Sequence, residues 1–402
     1  SARKEEMAEV HKHAIYEKVP IQQCWDRTGK APIKIRWLDI NKGDKVHPEY
    51  RSRLVAKDFK TDKRNDSFAA TPPLEALKLL LSLCMTEGVG WTNQGTDRMY
   101  LDFIDVRRAY FHADALRDLY IELPAEDHEE GMCGKLLKSM YGTRDAAQNW
   151  EAAYCDFMSN CGFRRGTASP CIFTHSERDL RVVVHGDDFT VLGHEWDLDW
   201  YRERISERFE IKFRGRLGDK SGHCKSIRIL NRIVTWKGDC IEYEADQRHA
   251  DIIIKQMGLL ESSRSSVVPG RKWTKEEINE KEVFADEKQS TLYRALVARA
   301  NYLSQDRSDI KYATKELSRH MSKPRTRDIE SLKRLARYLV GCPRLVQSFR
   351  AQSYCKVLEG WSDSDYAGCI ETRKSTSGGV IKWGSHVIKH WSTTQSIIAL
   401  SS

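Results

Sequence analysis

Residues 181–192 read RVVVHGDDFTVL, two β-rich apolar runs on either side of His185-Gly186-Asp187-Asp188. A Gly-Asp turn between such runs predicts a tight antiparallel hairpin, so the chain has to build a sheet around it. The tip of that hairpin fixes two adjacent carboxylates on a rigid element. An Asp-Asp pair alone has little weight, because a chain this long holds about one by chance, and a plain solvated turn is the alternative. Its weight comes from a second stretch. Residues 99–106 read MYLDFIDV, a β-rich segment that predicts a strand ending near Asp105, 82 residues ahead of Asp187 (187 − 105). Aspartates at the ends of two separate strands suit one or two divalent ions bridging nucleotide phosphates, since magnesium takes oxygen ligands and few protein carboxylates. Such ions activate an attacking hydroxyl and stabilise the leaving phosphate without a histidine base.

The rest of the chain predicts mixed helix and sheet. Within residues 32–59, IKIRWLDI and SRLVAKDF flank Asn41-Lys42-Gly43-Asp44, a basic β-hairpin. A helix is expected after Thr71 and its two prolines, with Leu74, Leu77, Leu81 and Cys84 on one buried face. Another follows Tyr141-Gly142 and runs to about Asn160. Residues 242–341 read as mainly helical. Leu292, Leu296 and Leu303 share one face, and Ile329, Leu332, Leu335, Ala336 and Leu339 mark another that stops at Gly341-Cys342-Pro343. Residues 262–286 form a polar linker, and from Val357 the pattern returns to β. At 402 residues, about two to four subdomains are expected. The charge of +8 suits a surface that follows an acidic polymer, although many proteins share it. Eleven scattered cysteines without a CxxC pair predict reduced intracellular thiols and no structural zinc. No apolar run reaches the roughly 18 residues of a membrane span, so no membrane partner is expected.

Asp105-Val106-Arg107-Arg108-Ala109-Tyr110-Phe111 followed by the Asp187-Asp188 hairpin resembles the first and third palm motifs of retroelement reverse transcriptases. The surrounding text is similar to the copia-type group. It includes Arg53-Leu54-Val55-Ala56-Lys57, Leu137 to Tyr141-Gly142 with Trp150 behind, Tyr293-Arg294-Ala295-Leu296-Val297, and Asp309-Ile310 through Leu317-Ser318-Arg319. Ser362-Asp363-Ser364-Asp365-Tyr366-Ala367-Gly368, Ser375-Thr376-Ser377-Gly378 and Ala399-Leu400-Ser401-Ser402 resemble the start of that group's ribonuclease H.

The resemblance implies an α+β right-hand polymerase: fingers and palm over residues 1–235, helical thumb and connection over 236–345, and a partial ribonuclease H-like sheet over 346–402. It implies an RNA- and DNA-templated DNA polymerase using magnesium, with manganese as the alternative ion. Its partners would be a primed RNA or DNA template and deoxynucleoside triphosphates, and its setting a cytoplasmic retroelement particle or the nucleus. Asp105, Asp187 and Asp188 would hold the metals, with the Val106 carbonyl beside them. Tyr110 would lie under the sugar and reject a 2′-hydroxyl, or else be a core tyrosine next to Phe111. Arg53 and Lys57 would meet the triphosphate, or else be solvated edge-strand charges. Gly142 would allow close backbone approach to template or nucleotide. Asp363 matches the first ribonuclease H carboxylate, with Asp365 second to it. The other acids of that site would lie beyond Ser402, so hybrid cleavage is not expected of this chain.

The departures are His185-Gly186 before the aspartates, Asp145 and Ala147 in place of Gln and Pro, and a more polar 225–229 segment. An added acid at Asp145 near template or phosphate would weaken activity. One rival reading is a degenerate relic that binds nucleic acid without catalysis. A metal-dependent nuclease is the other, and it lacks the partners of Asp363.

Overall fold

The structure, a computed structural model, describes residues 2–43, 47–59, 69–92, 97–279 and 282–400. Asp44 of the basic hairpin's turn and the final two serines lie outside the described residues. The fold is α+β and divides into two units, residues 1–77 with 100–215, and residues 78–99 with 216–402.

The first unit centres on a six-stranded sheet. Its order is Ile211–Leu217, Tyr100–Val106, Asp188–Gly193, Leu180–His185, Ile172–His175 and Arg164–Arg165. From Tyr100–Val106 to the Arg164–Arg165 edge every pairing is antiparallel. In Tyr100–Val106 every residue is buried except Asp105, as expected of a strand covered on both faces. Helix Ala146–Asn160 sends Trp150, Tyr154 and Phe157 to the sheet at four- and three-residue steps. Their rings meet Phe173, Phe189 and Phe209 at steep angles, with centroids 5.0–6.5 Å apart, a favoured aromatic geometry. The expected basic hairpin forms from Ile35–Asn41 and Tyr50–Ala56. Its Leu54 and Ala56 join a small core with Ile15, Phe111 and Met140.

The second unit departs more from expectation. Residues 226–245 form three antiparallel strands, Ser226–Ile229, Arg232–Lys237 and Cys240–Ala245, joined by Gln347–Arg350. The expected change of domain at residue 235 therefore falls inside a strand, and the stretch expected to be helical from 242 opens as sheet. Cys240–Ala245 alternates half-buried and buried residues, the period of two that marks a strand. The helices follow as Arg248–Gln256, Glu287–Leu303, Lys311–Ser318 and Thr326–Gly341, around a core that includes Leu296, Leu303, Leu332, Leu335, Ala336 and Leu339. Asp286 and Gln289 close a reciprocal cap at the start of Glu287–Leu303. Leu292, expected in the core, is exposed in that helix. Within the expected linker a short helix forms at Lys275–Asn279.

Two tight features hold this unit. Asp306, almost fully buried, accepts Arg232 Nε at 2.8 Å and the Tyr243 hydroxyl at 2.9 Å, with Lys78 Nζ 3.4 Å away. Residues 82–87 are tied to the far end of the chain. The Ser82 hydroxyl meets His386 Nδ1 at 2.7 Å, Gln352 N–H donates to the Met85 carbonyl at 3.0 Å, and Glu87 N–H donates to the Gln352 carbonyl at 2.8 Å. The β segment after Val357 is a three-stranded antiparallel sheet of Leu358–Ser364, Thr376–Trp383 and His386–Thr394. Its outer strand, which carries Asp363, is exposed along its whole length. All eleven cysteines are free. Among the described residues no helix is long and apolar enough to cross a membrane.

Candidate active site

The two predicted carboxylate elements are neighbours. Strand Asp188–Gly193 pairs with Tyr100–Val106 so that Asp188 lies directly opposite Asp105, and Val106 N–H donates to the Asp187 carbonyl at 2.9 Å. A two-residue turn links the hairpin strands, with Gly186 at φ +65°, a value that favours glycine. Trp150 fixes the tip. Its buried indole N–H donates to the Gly186 carbonyl at 2.8 Å from helix Ala146–Asn160.

Like charges directly opposite each other on paired strands repel, and here a cation lies between them. Arg214 Nη2, on Ile211–Leu217 at the sheet edge, sits 3.0 Å from Asp105 Oδ2 and 3.0 Å from Asp188 Oδ1. Only the first contact is a well-directed hydrogen bond; Asp188 Oδ1 is buried and accepts none. Burial pushes the Asp188 carboxyl up to about 7, Arg214 opposes that, and Asp187 and Asp105 add to it. One buried carboxylate oxygen of this strand pair is thus left without a donor.

A divalent ion suits this donor set, which is all oxygen and includes a buried carboxylate oxygen without a donor. The three aspartates do not close on a single point. Among the described residues, the one group of three acid, imidazole or thiol side chains with ligand atoms within 4.8 Å of one another is Glu9, His13 and Glu210. That group is already neutralised by Lys12, Arg107 and Arg108, at 2.8–3.5 Å from its two carboxylates.

The basic hairpin shares this field. Arg53 stacks its guanidinium 4.3 Å from the centre of the Tyr141 ring, and Tyr110 lies 5.0 Å from the same ring. Tyr110 is half-buried, whereas Phe111 is fully buried. Burial raises the Tyr110 phenol, Asp187 raises it further and Arg53 lowers it, so all three feel one another's charge. Lys42 is lowered by burial and by Arg51 and Arg53, against Glu49 and Asp105. Among the described residues Arg51, Arg53 and Lys57 form no ion pair. Lys57 is tied in by its backbone N–H, on the Lys34 carbonyl at 2.8 Å, and nothing links its side chain to the aspartates.

One expectation gains a local cause and another needs correcting. Gly142 requires close approach to its own chain. At φ +87° a Cβ there would sit 2.1 Å from the Ala56 carbonyl oxygen and 2.6 Å from Val55 Cγ1, on the strand that carries Arg53. Asp145 is not a bare acid facing phosphate. Arg117 clamps both its oxygens at 2.9 and 2.7 Å and also reaches Asp58 at 2.9 Å, and this pairing holds the Asp145 carboxyl low against the effect of burial. In the second unit Asp363 accepts the Ser364 N–H at 2.9 Å, and Asp365 Oδ1 accepts from Gly368 and Thr376 N–H groups.

Sequence reasoning missed Arg214 as a neighbour of the aspartates and Trp150 as the anchor of the tip. The order of strands in the sheet puts Arg214 there, and no local pattern encodes that order.

The profile of the reverse transcriptase (RNA-dependent DNA polymerase) family matches residues 24–224, a span that includes Arg53, Asp105, Tyr110, Gly142, Asp187 and Asp188. The chain belongs to this family. It is 24% identical over 420 residues to the retrovirus-related Pol polyprotein from transposon TNT 1-94 of Nicotiana tabacum, covering 100% of this chain and 29% of that protein. It is 24% identical over 395 residues to the Pol polyprotein from transposon RE1 of Arabidopsis thaliana, covering 94% and 25%. The copia-type resemblance read from the motifs holds, and the chain spans under a third of these relatives. A solved structure titled "Structure of the foamy viral protease-reverse transcriptase dRH in complex with ds DNA" is similar over 98% of this chain and 55% of that one, with TM-score 0.48 and 8% identity.

Proposed function

We propose that this reverse transcriptase extends primed RNA or DNA templates by two-metal nucleotidyl transfer at the Asp105–Asp188 strand pair. The observation that carries the reading is the cross-strand register, which sets two carboxylates face to face and leaves a buried Asp188 oxygen without a hydrogen-bond donor. Asp105, Asp187 and Asp188 would hold magnesium or manganese, with the Val106 carbonyl beside them. Bound there, the ions would activate the primer 3′-hydroxyl and offset charge on the leaving pyrophosphate. Trp150 holds the turn at its height through Gly186. Arg53, with Lys57 further along the same segment, presents positive charge to a triphosphate, and Gly142 lets the backbone seat against the Arg53 strand. Tyr110 would close the sugar side of the pocket. In this reading the unit of residues 1–77 and 100–215 supplies fingers and palm, the helices between Arg248 and Gly341 a thumb and connection, and the sheet of residues 358–394 a ribonuclease H-like piece in which Asp363 is a remnant acid.

The test is primer extension. Asp105→Asn and Asp187→Asn should each cut extension by roughly a thousandfold or more, the several kcal/mol a metal supplies, while leaving duplex binding near wild type. Undiminished extension in either variant would sink the assignment.

A further inference from the structure

We propose that Arg214 is a tethered stand-in for the divalent ion: its guanidinium holds Asp105 and Asp188 together in the metal-free protein and gives them up when the ion arrives. The inference rests on the metal-site reading above and adds a residue that competes with the metal. Three observations carry it.

The strand register sets Asp105 and Asp188 opposite each other, so positive charge between them relieves their repulsion whenever no ion does. Arg214 supplies it through a single nitrogen, Nη2, that bridges the two carboxylates at 3.0 Å each. The planar fork of an arginine grips one carboxylate through two parallel bonds when the pairing is built to last. Here the fork is not used that way, and Asp188 Oδ1 is left without a directed bond. Arg214 therefore cancels charge without satisfying the oxygen, which a cation with wider coordination would do.

The side chain is also free to leave. It is 31% exposed, and among the described residues it pairs with no other carboxylate. Asp102, Asp105, Asp187 and Asp188 are the acids on the two strand segments that meet here, and Asp102 is buried further along the strand, opposite Val191. Because a divalent ion held by Asp105 and Asp188 would draw on the carboxylates that Arg214 holds, each would weaken the other's hold by an equal factor.

Manganese binding, read by the electron paramagnetic resonance of the free ion on the full chain without nucleotide, tests this directly. Arg214→Gln should bind Mn2+ more tightly, on the order of tenfold. Its melting temperature in chelator should fall below wild type, and added Mn2+ should raise it by more than in wild type. Arg214→Lys, a point charge on a flexible stem, should lie between. Unchanged or weaker Mn2+ binding in Arg214→Gln with a native circular dichroism spectrum overturns the proposal, and the metal site survives if Asp105→Asn still abolishes binding. Wild-type Mn2+ affinity in Asp105→Asn removes the metal site itself and this proposal with it.

Discussion

Tyr110 and Phe111 are adjacent in sequence and take different surroundings. Phe111 is 1% exposed within the core beneath the basic hairpin. Tyr110 stays half-buried and feels both Asp187 and Arg53. A ring there can be shortened without opening the core, so Tyr110→Val should fold normally. If the ring lies under the sugar, that variant should admit ribonucleotides while retaining deoxynucleotide use, raising the ribo-to-deoxy ratio by at least about tenfold. Single-nucleotide extension with each nucleotide measures it, and unchanged selectivity would leave Tyr110 a packing residue. At this scale the sequence was informative about acids and silent about their company. Asp105, Asp187 and Asp188 could be picked out because each sits at the end of a β-rich run. Arg214 could not, since its role depends on Ile211–Leu217 lying beside Tyr100–Val106. Gly142 was legible as a close approach, but which backbone it approaches required the fold.

Among the elements, the hairpin tip and the basic hairpin depend on small residues and neutral groups held out of water. Gly142→Ala would drive a Cβ against the Ala56 carbonyl at a φ that disfavours any side chain. It should cost about 1–3 kcal/mol in chemical denaturation, and binding of triphosphate should weaken as the Arg53 strand shifts. An Ala variant as stable as wild type would show that this strand gives way freely. The turn Ala109–His112 adds a pH dependence. Burial pushes His112 from 6.5 down to about 4, with His13 and Arg208 lowering it and Glu210 and the Arg107 carbonyl opposing. His390, in the other unit, is lowered to about 4 mainly by burial as well. Between pH 6.5 and 4 the unfolded chain's two imidazoles take up protons that the folded ones refuse, so their contribution is full above about pH 6.5 and declines as pH falls, while the raised Asp188 carboxyl works the other way. Melting temperature should drop from pH 7 to pH 5, and by less in His112→Gln; equal drops would remove His112 as a cause. Element type was legible wherever periodicity was sustained, as in Ala146–Asn160 and Thr326–Gly341. It was misread at 242–245, the end of a six-residue strand alternating with period two that leads straight into helical sequence, where the longer pattern dominated. Leu292 fell outside the core because it lies in the second turn of its helix, ahead of the first residue that reaches the bundle, Tyr293.

For the whole molecule, in the proposed polymerase the +8 charge and Arg51, Arg53 and Lys57, which form no ion pair among the described residues, would meet phosphates rather than bases. Affinity for primer-template should fall steeply with salt, with a log–log slope of about −0.9 per duplex phosphate neutralised. Replacing Arg51 by Gln should reduce the slope by about one such step, as filter binding across a salt series would show. A salt-independent affinity would speak against a groove that tracks phosphates. The division of the chain was the least legible property. Composition shifts suggested blocks following one another in sequence, whereas the second unit is assembled from residues 78–99 and 216–402. That discontinuity sets a timetable. Ser82 waits for a partner 304 positions later, His386, and at about 5–20 residues per second a ribosome needs roughly 15–60 s to deliver it. Lys78 waits in turn for Asp306, 228 positions later (306 − 78). The helix that carries both residues thus emerges well before the partners that tie it down.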